Sequence, residues 1–293
     1  MSRWLIWTLV SILFWGLWGV VSTVASRHAS AYAVQAIAAL GILPVAIALA
    51  TPKRFREGSE LRRGAFWAFA TGLCGGTGNV ILFWALGRGG EASTLYPLTS
   101  LYPVVTLILA VAFLGERLNA VQGSGFVLAL ASVVLFNVVD PPAGDPAGGG
   151  WLSEWTLCAL PILLLWGVGG ITQKLATRHG SDEWATFWFA VAFLAIAAGL
   201  LAAGKVGLDD TPAGLGWSAL LGLITGLAMF TGFAAYRGGT KASVVTALIA
   251  LYPVVTVAVS VPLFGESFGW RKGAGTALAI VAGLALTHEK TGD

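Results

Sequence analysis

Long apolar stretches alternate with short polar junctions along the whole chain of 293 residues. A bilayer core about 30 Å thick requires roughly 20 residues of helix to cross it, and clusters of charges, prolines and glycines mark where such helices end. The ten apolar segments found in this way cover residues 4–26, 31–50, 64–86, 92–114, 120–138, 155–176, 184–203, 214–236, 242–264 and 270–287. The pattern predicts an all-α integral membrane protein with ten transmembrane helices.

The composition supports a membrane protein and excludes a soluble globular enzyme. Hydrophobic residues make up 57% of the chain and charged residues 11%, with a mean hydropathy of +0.81, which is far above that of a soluble domain. The formal net charge is +3, and the lysines and arginines form no basic tract that would indicate binding to nucleic acid. Cys74 and Cys158 lack the spacing of a metal site, and the sequence has no enzyme motif, so we expect no cofactor, metal or catalysis.

The distribution of lysine and arginine predicts the orientation of the chain. Ten helices place both termini on the same side as the junctions after helices 2, 4, 6 and 8, and this side carries twelve of the 17 basic residues. Because basic junctions stay inside the cell, we expect both termini in the cytoplasm, with the protein in a bacterial cytoplasmic membrane. The Gly- and Pro-rich stretch 139–154 has no basic residue and is expected outside.

The two halves of the chain are related by an internal duplication. Residues 64–136 align with 214–286 at a constant shift of 150, with 24 identities in 73 positions and no gap. The alignment predicts a first repeat at 1–138 and a second at 155–293, joined by the linker 139–154. Each repeat holds five helices, and an odd number means that the second enters the membrane from the opposite side. Inverted repeats of this kind are typical of transporters that open a midplane site to each side in turn.

Three motifs occur in both repeats: Trp-Gly at 15–16 and 166–167, Leu-Tyr-Pro-Val-Val-Thr at 101–106 and 251–256, and Gly-Glu at 115–116 and 265–266. With these motifs the whole chain resembles the EamA-type transporters of the drug/metabolite transporter superfamily. The resemblance implies ten helices, cytoplasmic termini and a central cavity lined mainly by helices 1, 3, 4, 6, 8 and 9. It also implies export of amino acids or other metabolites, although the superfamily includes carriers of sugar phosphates and nucleotide sugars.

Prolines in the fourth and ninth helices indicate a cavity. A proline inside a helix cannot donate to the carbonyl four residues back, and its ring bends the helix. We therefore expect helix kinks at Pro97, Pro103 and Pro253. The carbonyls of Thr99 and Ile249 should be freed and turned toward water or a ligand. Bending for packing alone is the alternative interpretation.

Aromatic and amide side chains complete the candidate substrate site. Tyr102 and Tyr252 stand beside two of the kinks, and each offers an apolar ring with one hydroxyl group. The further candidate contacts are Trp15, Asn79, Tyr96, Thr99 and Trp166. Each has a structural alternative, because tryptophans collect in interfacial belts and a lone amide often bonds a neighbouring helix. Tyr96 and Thr99 occur in the first repeat alone, which fits neutral drift as well as an asymmetric ligand.

Gln173 and Lys174, near the cytoplasmic end of the sixth helix, are candidates for a gate or an anion contact. Snorkelling to the lipid headgroups is the alternative role of the lysine. None of the 14 carboxylates lies in the interior of a predicted helix, which argues against the embedded proton carrier of small multidrug exporters. Glu116 and Glu266 are therefore interpreted as helix-end caps that bond the backbone of the following turn.

These features together predict a secondary transporter that exports a small polar or amphipathic metabolite, an amino acid for example, by alternating access. Two alternatives stay open. An exchanger of anions such as sugar phosphates would need a basic residue in the cavity, and a membrane sensor or scaffold would bind without transport. The expected partners are the substrate and the lipid bilayer, without nucleic acid. Because one chain contains both repeats, a monomer can function as a transporter, and a homodimer is also compatible with the sequence.

Overall fold

The computed structural model describes residues 2–87, 99, 101–137, 154–207, 211–238, 240–264, 270–286 and 288, and the regular structure within these residues is helical. The α-helices of the first half are α1 (Arg3–His28), α2 (Ala31–Gly41), α3 (Leu43–Leu49), α4 (Leu61–Gly87), α5 (Tyr102–Leu114) and α6 (Ala120–Asn137), with a 3₁₀ turn at Lys53–Arg56. Those of the second half are α7 (Glu154–His179), α8 (Asp182–Ala202), α9 (Pro212–Arg237), α10 (Ala242–Ile249), α11 (Pro253–Phe264) and α12 (Trp270–Leu286).

Hydroxyl side chains fix where several helices begin. Ser30, Ser181 and Thr211 precede α2, α8 and α9, and each accepts a hydrogen bond from the backbone N–H three residues further on, at 3.4, 3.0 and 3.1 Å. Such a cap satisfies one of the N–H groups that have no partner in the first helical turn. Ser30 and Ser181 stand at equivalent places in the two halves.

The structure corrects one expectation about the prolines. Pro253 does not bend a continuous helix but is the first residue of α11, and a short turn separates it from α10. Pro103 likewise stands in the first turn of α5, where a missing N–H costs nothing. The carbonyl of Ile249, expected to be free, accepts a hydrogen bond from the N–H of Tyr252 at 3.0 Å. That expectation is wrong because the turn before the proline supplies a new donor.

The helices of the two halves pack in a reciprocal way. In the first half α1 lies mainly against α9 of the second, and α4 lies against α7. The short helix α5 packs on α7, and its equivalent α11 packs on α1. The last helices of the two halves, α6 and α12, pack against each other. Each half therefore completes its packing on the other half, and the space between α1, α4, α7 and α9 becomes the centre of the molecule.

The outer faces of the bundle are apolar. Side chains that are about half exposed recur every three or four residues on α1 and α7, at Ile6, Leu9, Leu13, Leu157, Leu160 and Leu164. Residues with this spacing share one face of a helix, and an exposed face of this composition suits lipid. The described residues hold six helices long and apolar enough to cross a membrane, and four shorter apolar helices. The chain is an integral membrane protein of helical type.

Candidate substrate cavity

A cavity of about 100 Å³ lies at the centre of the bundle, between helices of both halves. Its walls come from α1, α4, α7, α8 and α9, and the ends of α5 and α10 close it. Aromatic rings dominate the lining, at Trp15, Trp18, Tyr102, Trp166, Phe189 and Phe193. The repeated Trp-Gly and Leu-Tyr-Pro motifs thus reach the same space from opposite halves.

The cavity brings together most of the side chains that the sequence singles out. Those that line it are Trp15, Asn79, Tyr102, Trp166, Gln173 and Tyr252. Thr99 is buried but is not among the lining residues. Tyr96 and Pro97 lie outside the described residues, so their expected places in the site stay predictions. The roles of all these residues in substrate binding likewise stay predictions.

Lys174 does not line the cavity, and it does not snorkel to the membrane surface. Its side chain is buried, and its ammonium group donates hydrogen bonds to the main-chain carbonyls of Tyr236 at 2.8 Å and Thr240 at 2.6 Å. These carbonyls belong to the C-terminal end of α9 and the residues after it, where no helical donor remains. The lysine therefore caps α9 from α7, and the snorkelling interpretation is wrong.

Several polar groups of the lining have no hydrogen-bond partner among the residues that the structure describes. They are the carboxamides of Asn79 and Gln173 and the hydroxyl of Tyr102. Other lining hydroxyls are already engaged: Thr225 donates to the carbonyl of Leu221 at 2.8 Å, and Tyr236 shares a 2.5 Å hydrogen bond with the hydroxyl of Thr246. Because a buried polar group without a partner is costly, the free groups are the ones suited to a ligand.

The aromatic rings form a preorganised wall. Tyr102 and Trp166, from different halves, meet edge to face with ring centroids 6.1 Å apart. Trp15 and Trp18 meet at 5.6 Å in a similar T-shaped contact on α1. These are the favoured geometries of aromatic pairs. The rings hold one another in place and leave flat faces for an apolar or planar part of a substrate.

The described part of the cavity lining is electrically neutral. None of the described residues that line it carries a formal charge. A bare ion inside would lose its hydration shell without gaining a counter-charge, which costs several kcal/mol even after relaxation. The cavity therefore suits ligands without net charge.

Glycines let α1 and α7 approach the helices that close the cavity. The first carbon of a side chain at Gly16 would collide with Val255, and one at Gly167 would collide with Val105. Both glycines belong to the Trp-Gly motif, so the motif's glycine provides close packing and its tryptophan provides a cavity wall. Small residues commonly allow membrane helices to pack closely in this way.

The contacts of Glu116 correct a third expectation. Its carboxylate does not bond the following turn but accepts hydrogen bonds from the backbone N–H groups of Ala242 at 2.6 Å and Ser243 at 3.0 Å. It also accepts the hydroxyl of Ser243 at 2.7 Å. The carboxylate thus caps the N-terminus of α10, in the other half of the chain, where the helix dipole favours a negative charge. Glu266 lies outside the described residues.

A lysine strengthens the same connection between the halves. Lys241, the residue just before α10, donates to the main-chain carbonyl of Arg117 and to the side-chain oxygen of Gln122 at 3.2 Å. Together with Glu116 it joins the junction between α5 and α6 to the start of α10. We call these contacts the Glu116 latch. The far end of α10 carries Ile249, which lines the cavity.

Gln35 on α2 is a polar residue that the sequence analysis missed. Its side chain is fully buried, and neither its oxygen nor its nitrogen has a hydrogen-bond partner among the described residues. It lies behind the cavity wall, because a side chain built at Gly76 would touch both the Gln35 amide nitrogen and the ring of Phe193. Its position as a single glutamine in an apolar segment is the feature of the sequence that could have revealed it.

A second cavity, of about 420 Å³, lies at the end of the bundle that holds Arg3 and Arg237. Two acidic residues that the sequence places in a junction lie at the start of α8: Asp182 lines this cavity and is partly buried, and Glu183 is buried. Glu183 is 1% exposed and pairs with Arg54 at 2.5 Å, and Asp182 lies 3.9 Å from Arg237. These ion pairs tie α8, α9 and the 3₁₀ turn together.

The transmembrane helices, the lipid-suited outer faces and the central cavity define a polytopic membrane protein with a cavity between two halves. Within this class, the chain belongs to the EamA-like transporter family, whose model matches residues 2–138 and again residues 154–287. The resemblance drawn from the sequence motifs is confirmed over the whole chain. Members of this family are membrane transporters.

Relatives and solved structures agree with this assignment. An uncharacterized protein of Pseudomonas aeruginosa is 34% identical over 185 residues, 62% of this chain and 60% of that protein. One of Methanocaldococcus jannaschii is 36% identical over 61 residues, 21% of this chain and 44% of that protein. A Sinorhizobium protein described as an uncharacterized transporter is 31% identical over 140 residues, 47% of this chain and 98% of that protein. A crystal structure with 17% identity covers 96% of this chain and 95% of that chain with a TM-score of 0.76, which shows a shared fold.

Proposed function

We propose that the protein is a secondary transporter that exports a small polar or amphipathic metabolite, neutral or zwitterionic, by alternating access. The observation that carries the proposal is the central cavity, whose walls come from both halves of the chain. A site placed in this way opens to one side or the other when the halves rearrange around it. The family supplies the transport activity, and the cavity supplies the place where a substrate would bind.

The proposed architecture is two inverted repeats of five transmembrane helices, at 1–138 and 155–293, joined by an external linker at 139–154. Both termini lie in the cytoplasm, and the membrane is the bacterial cytoplasmic membrane. The reciprocal packing of α5 on α7 and of α11 on α1 supports this arrangement, because an in-plane two-fold axis would create such pairs.

The Glu116 latch supports alternating access. Arg117 and Lys241 lie on the basic side of the chain, which supports a cytoplasmic position for the latch. It holds α10, whose other end lines the cavity. In the proposed cycle these hydrogen bonds break when the cavity opens to the cytoplasm and form again when that end closes.

The anion exchanger has less support than a carrier of uncharged molecules. It would need Lys174 or another cation at the substrate, but the Lys174 ammonium is bound to two carbonyls and the described lining residues are uncharged. A sensor or scaffold that binds without transport is separated from a transporter by flux measurements.

Counterflow into proteoliposomes loaded with a metabolite mixture tests the proposal. Labelled compounds that raise the melting temperature of the purified protein should accumulate, and the Tyr102→Phe, Tyr252→Phe double variant should lose both the stabilisation and the flux. Tyr32→Phe is the matched control, because Tyr32 does not line the cavity. Stabilisation by a compound with no flux in any lipid mixture would favour a sensor.

A further inference from the structure

We infer that the substrate is a neutral planar heterocycle whose edge carries a hydrogen-bond donor beside an acceptor, as in a nucleobase or another lactam. The inference rests on the proposed transport function and names the substrate class for the same cavity. Three features carry it: the free carboxamides, the aromatic walls and the uncharged lining.

The carboxamides provide the recognition of an edge. Asn79 on α4 and Gln173 on α7 line the cavity, are 7% and 9% exposed, and hydrogen bond to nothing in the described part of the chain. A carboxamide presents an acceptor oxygen next to a donor nitrogen. It pairs best with a group that has the reverse order, which is how Asn and Gln read adenine in two hydrogen bonds. A lactam edge has this order, whereas a carboxylate offers acceptors alone.

The aromatic walls provide the recognition of a flat ring. The rings of Tyr102 and Trp166 meet at an interplanar angle of 90°, and those of Trp15 and Trp18 meet at 68°. Stacking of a heterocycle on such side chains is favourable and largely independent of ring substituents. The walls thus select shape, and the amides select the pattern on the edge.

The uncharged lining disfavours an α-amino acid in this cavity. A zwitterion brings an ammonium and a carboxylate, and each would be desolvated without an opposite charge among the described lining residues. Lys174, which follows Gln173 on α7, is not among the lining residues, and its ammonium group donates to the carbonyls of Tyr236 and Thr240. A neutral lactam satisfies the amides and leaves no ion unpaired.

Transport of four labelled probes tests the inference: uracil, hypoxanthine, 1,3-dimethyluracil and tryptophan. We expect uracil and hypoxanthine to be transported, and 1,3-dimethyluracil, which keeps the ring but lacks the N–H donors, to be transported about tenfold less well or worse. Asn79→Leu and Gln173→Met should each lower uracil transport about tenfold, at unchanged expression and monodispersity. Thr186→Val is the matched control, because its buried hydroxyl is bound to the carbonyl of Asp182 and Thr186 is not among the lining residues.

The outcomes separate the substrate class from the transport function. Transport of tryptophan without uracil or hypoxanthine would overturn the inference and leave the transporter intact. Stabilisation by uracil that Asn79→Leu abolishes, without flux of any probe, would uphold the ligand class and overturn transport. Equal transport of uracil and 1,3-dimethyluracil would overturn the role given to the carboxamides.

Discussion

The hydroxyl of Thr106 donates a hydrogen bond to the carbonyl oxygen of Gly167 at 2.9 Å, and this bond joins α5 of the first half to α7 of the second. Thr256 donates to the carbonyl of Gly16 at the same distance, joining α11 to α1. Each threonine ends a Leu-Tyr-Pro-Val-Val-Thr motif, and each glycine belongs to a Trp-Gly motif. The two repeated motifs therefore contact each other across the halves, and this contact brings the tyrosines and tryptophans to one cavity.

The close approach at Gly167 gives the first prediction. Because a side chain there would overlap Val105, Gly167→Leu should lower the free energy of unfolding by about 1–3 kcal/mol, or prevent folding. Gly199 is exposed on α8 with no atom near its missing side chain, so Gly199→Leu is the matched control and should change stability by less than about 0.5 kcal/mol. Thermal unfolding in detergent measures both. Equal stabilities of the Gly167→Leu and Gly199→Leu variants would show that α7 is not held against α5 in solution.

The Glu116 latch gives the second prediction. Glu116→Ala removes three hydrogen bonds from the start of α10, and loss of a helix cap costs about 1–2 kcal/mol. Glu60→Ala is the control, because Glu60 makes an exposed ion pair with Arg63, worth at most about 1 kcal/mol. Hydrogen exchange should become faster at Ala242 and Ser243 in the first variant alone. Unchanged exchange there would contradict the cap.

Much of the fold could be predicted because hydropathy and helix length act locally. Apolar runs of about 20 residues, the duplication and the basic junctions are all properties of neighbouring or aligned positions. The break between α10 and α11 was missed because a proline is compatible with a bent helix or with a new helix, and the turn at Ala250–Tyr252 is selected by packing. The hydrogen bond that Glu116 accepts from the backbone N–H of Ala242 was missed because it joins residues 126 positions apart.

The candidate site could be predicted in part for a similar reason. The repeated motifs marked Trp15, Tyr102 and Tyr252, because duplication highlights positions that both halves keep. Phe189 and Phe193 line the same space but look like ordinary apolar residues of α8, and no spacing in the sequence sets them apart. Which face of an apolar helix turns inward depends on its neighbours, so such residues require the structure.

Lys174 gives the third prediction. Lys174→Met leaves the carbonyls of Tyr236 and Thr240 without donors, and should lower the free energy of unfolding by about 1–3 kcal/mol. Lys205→Met is the control, because Lys205 is exposed, and should have an effect below about 0.5 kcal/mol. The melting temperatures of the unmodified protein and of Lys174→Met in the presence of phosphate test the alternative role of Lys174 as an anion contact. Stabilisation of the unmodified protein by phosphate that Lys174→Met abolishes would instead support an anion contact.

Gln35 gives the fourth prediction. Its buried amide has no hydrogen-bond partner in the part of the chain that the structure describes, so Gln35→Leu, which has a similar size, should raise the free energy of unfolding by about 1 kcal/mol. Gln122→Leu is a control for which we expect the opposite change in stability. The Gln122 amide accepts from the backbone of Asn119 and from Lys241, and its loss should lower stability. A destabilised Gln35→Leu variant would reveal a partner, such as a bound water, in the native protein.

Cysteine labelling provides the fifth prediction, on orientation. In a background with Cys74→Ala and Cys158→Ala, a cysteine at exposed Glu57 should react with an impermeant maleimide after the cells are opened, because the basic residues around it place this junction in the cytoplasm. A cysteine at exposed Lys205 should react in intact cells. Labelling at Glu57 in intact cells, with labelling at Lys205 only after the cells are opened, would invert the proposed topology. The Glu116 latch would then lie at the outer end of the cavity. The hydrogen bonds of the latch would then hold the cavity closed toward the outside, and the cycle would begin from a cavity facing the cytoplasm.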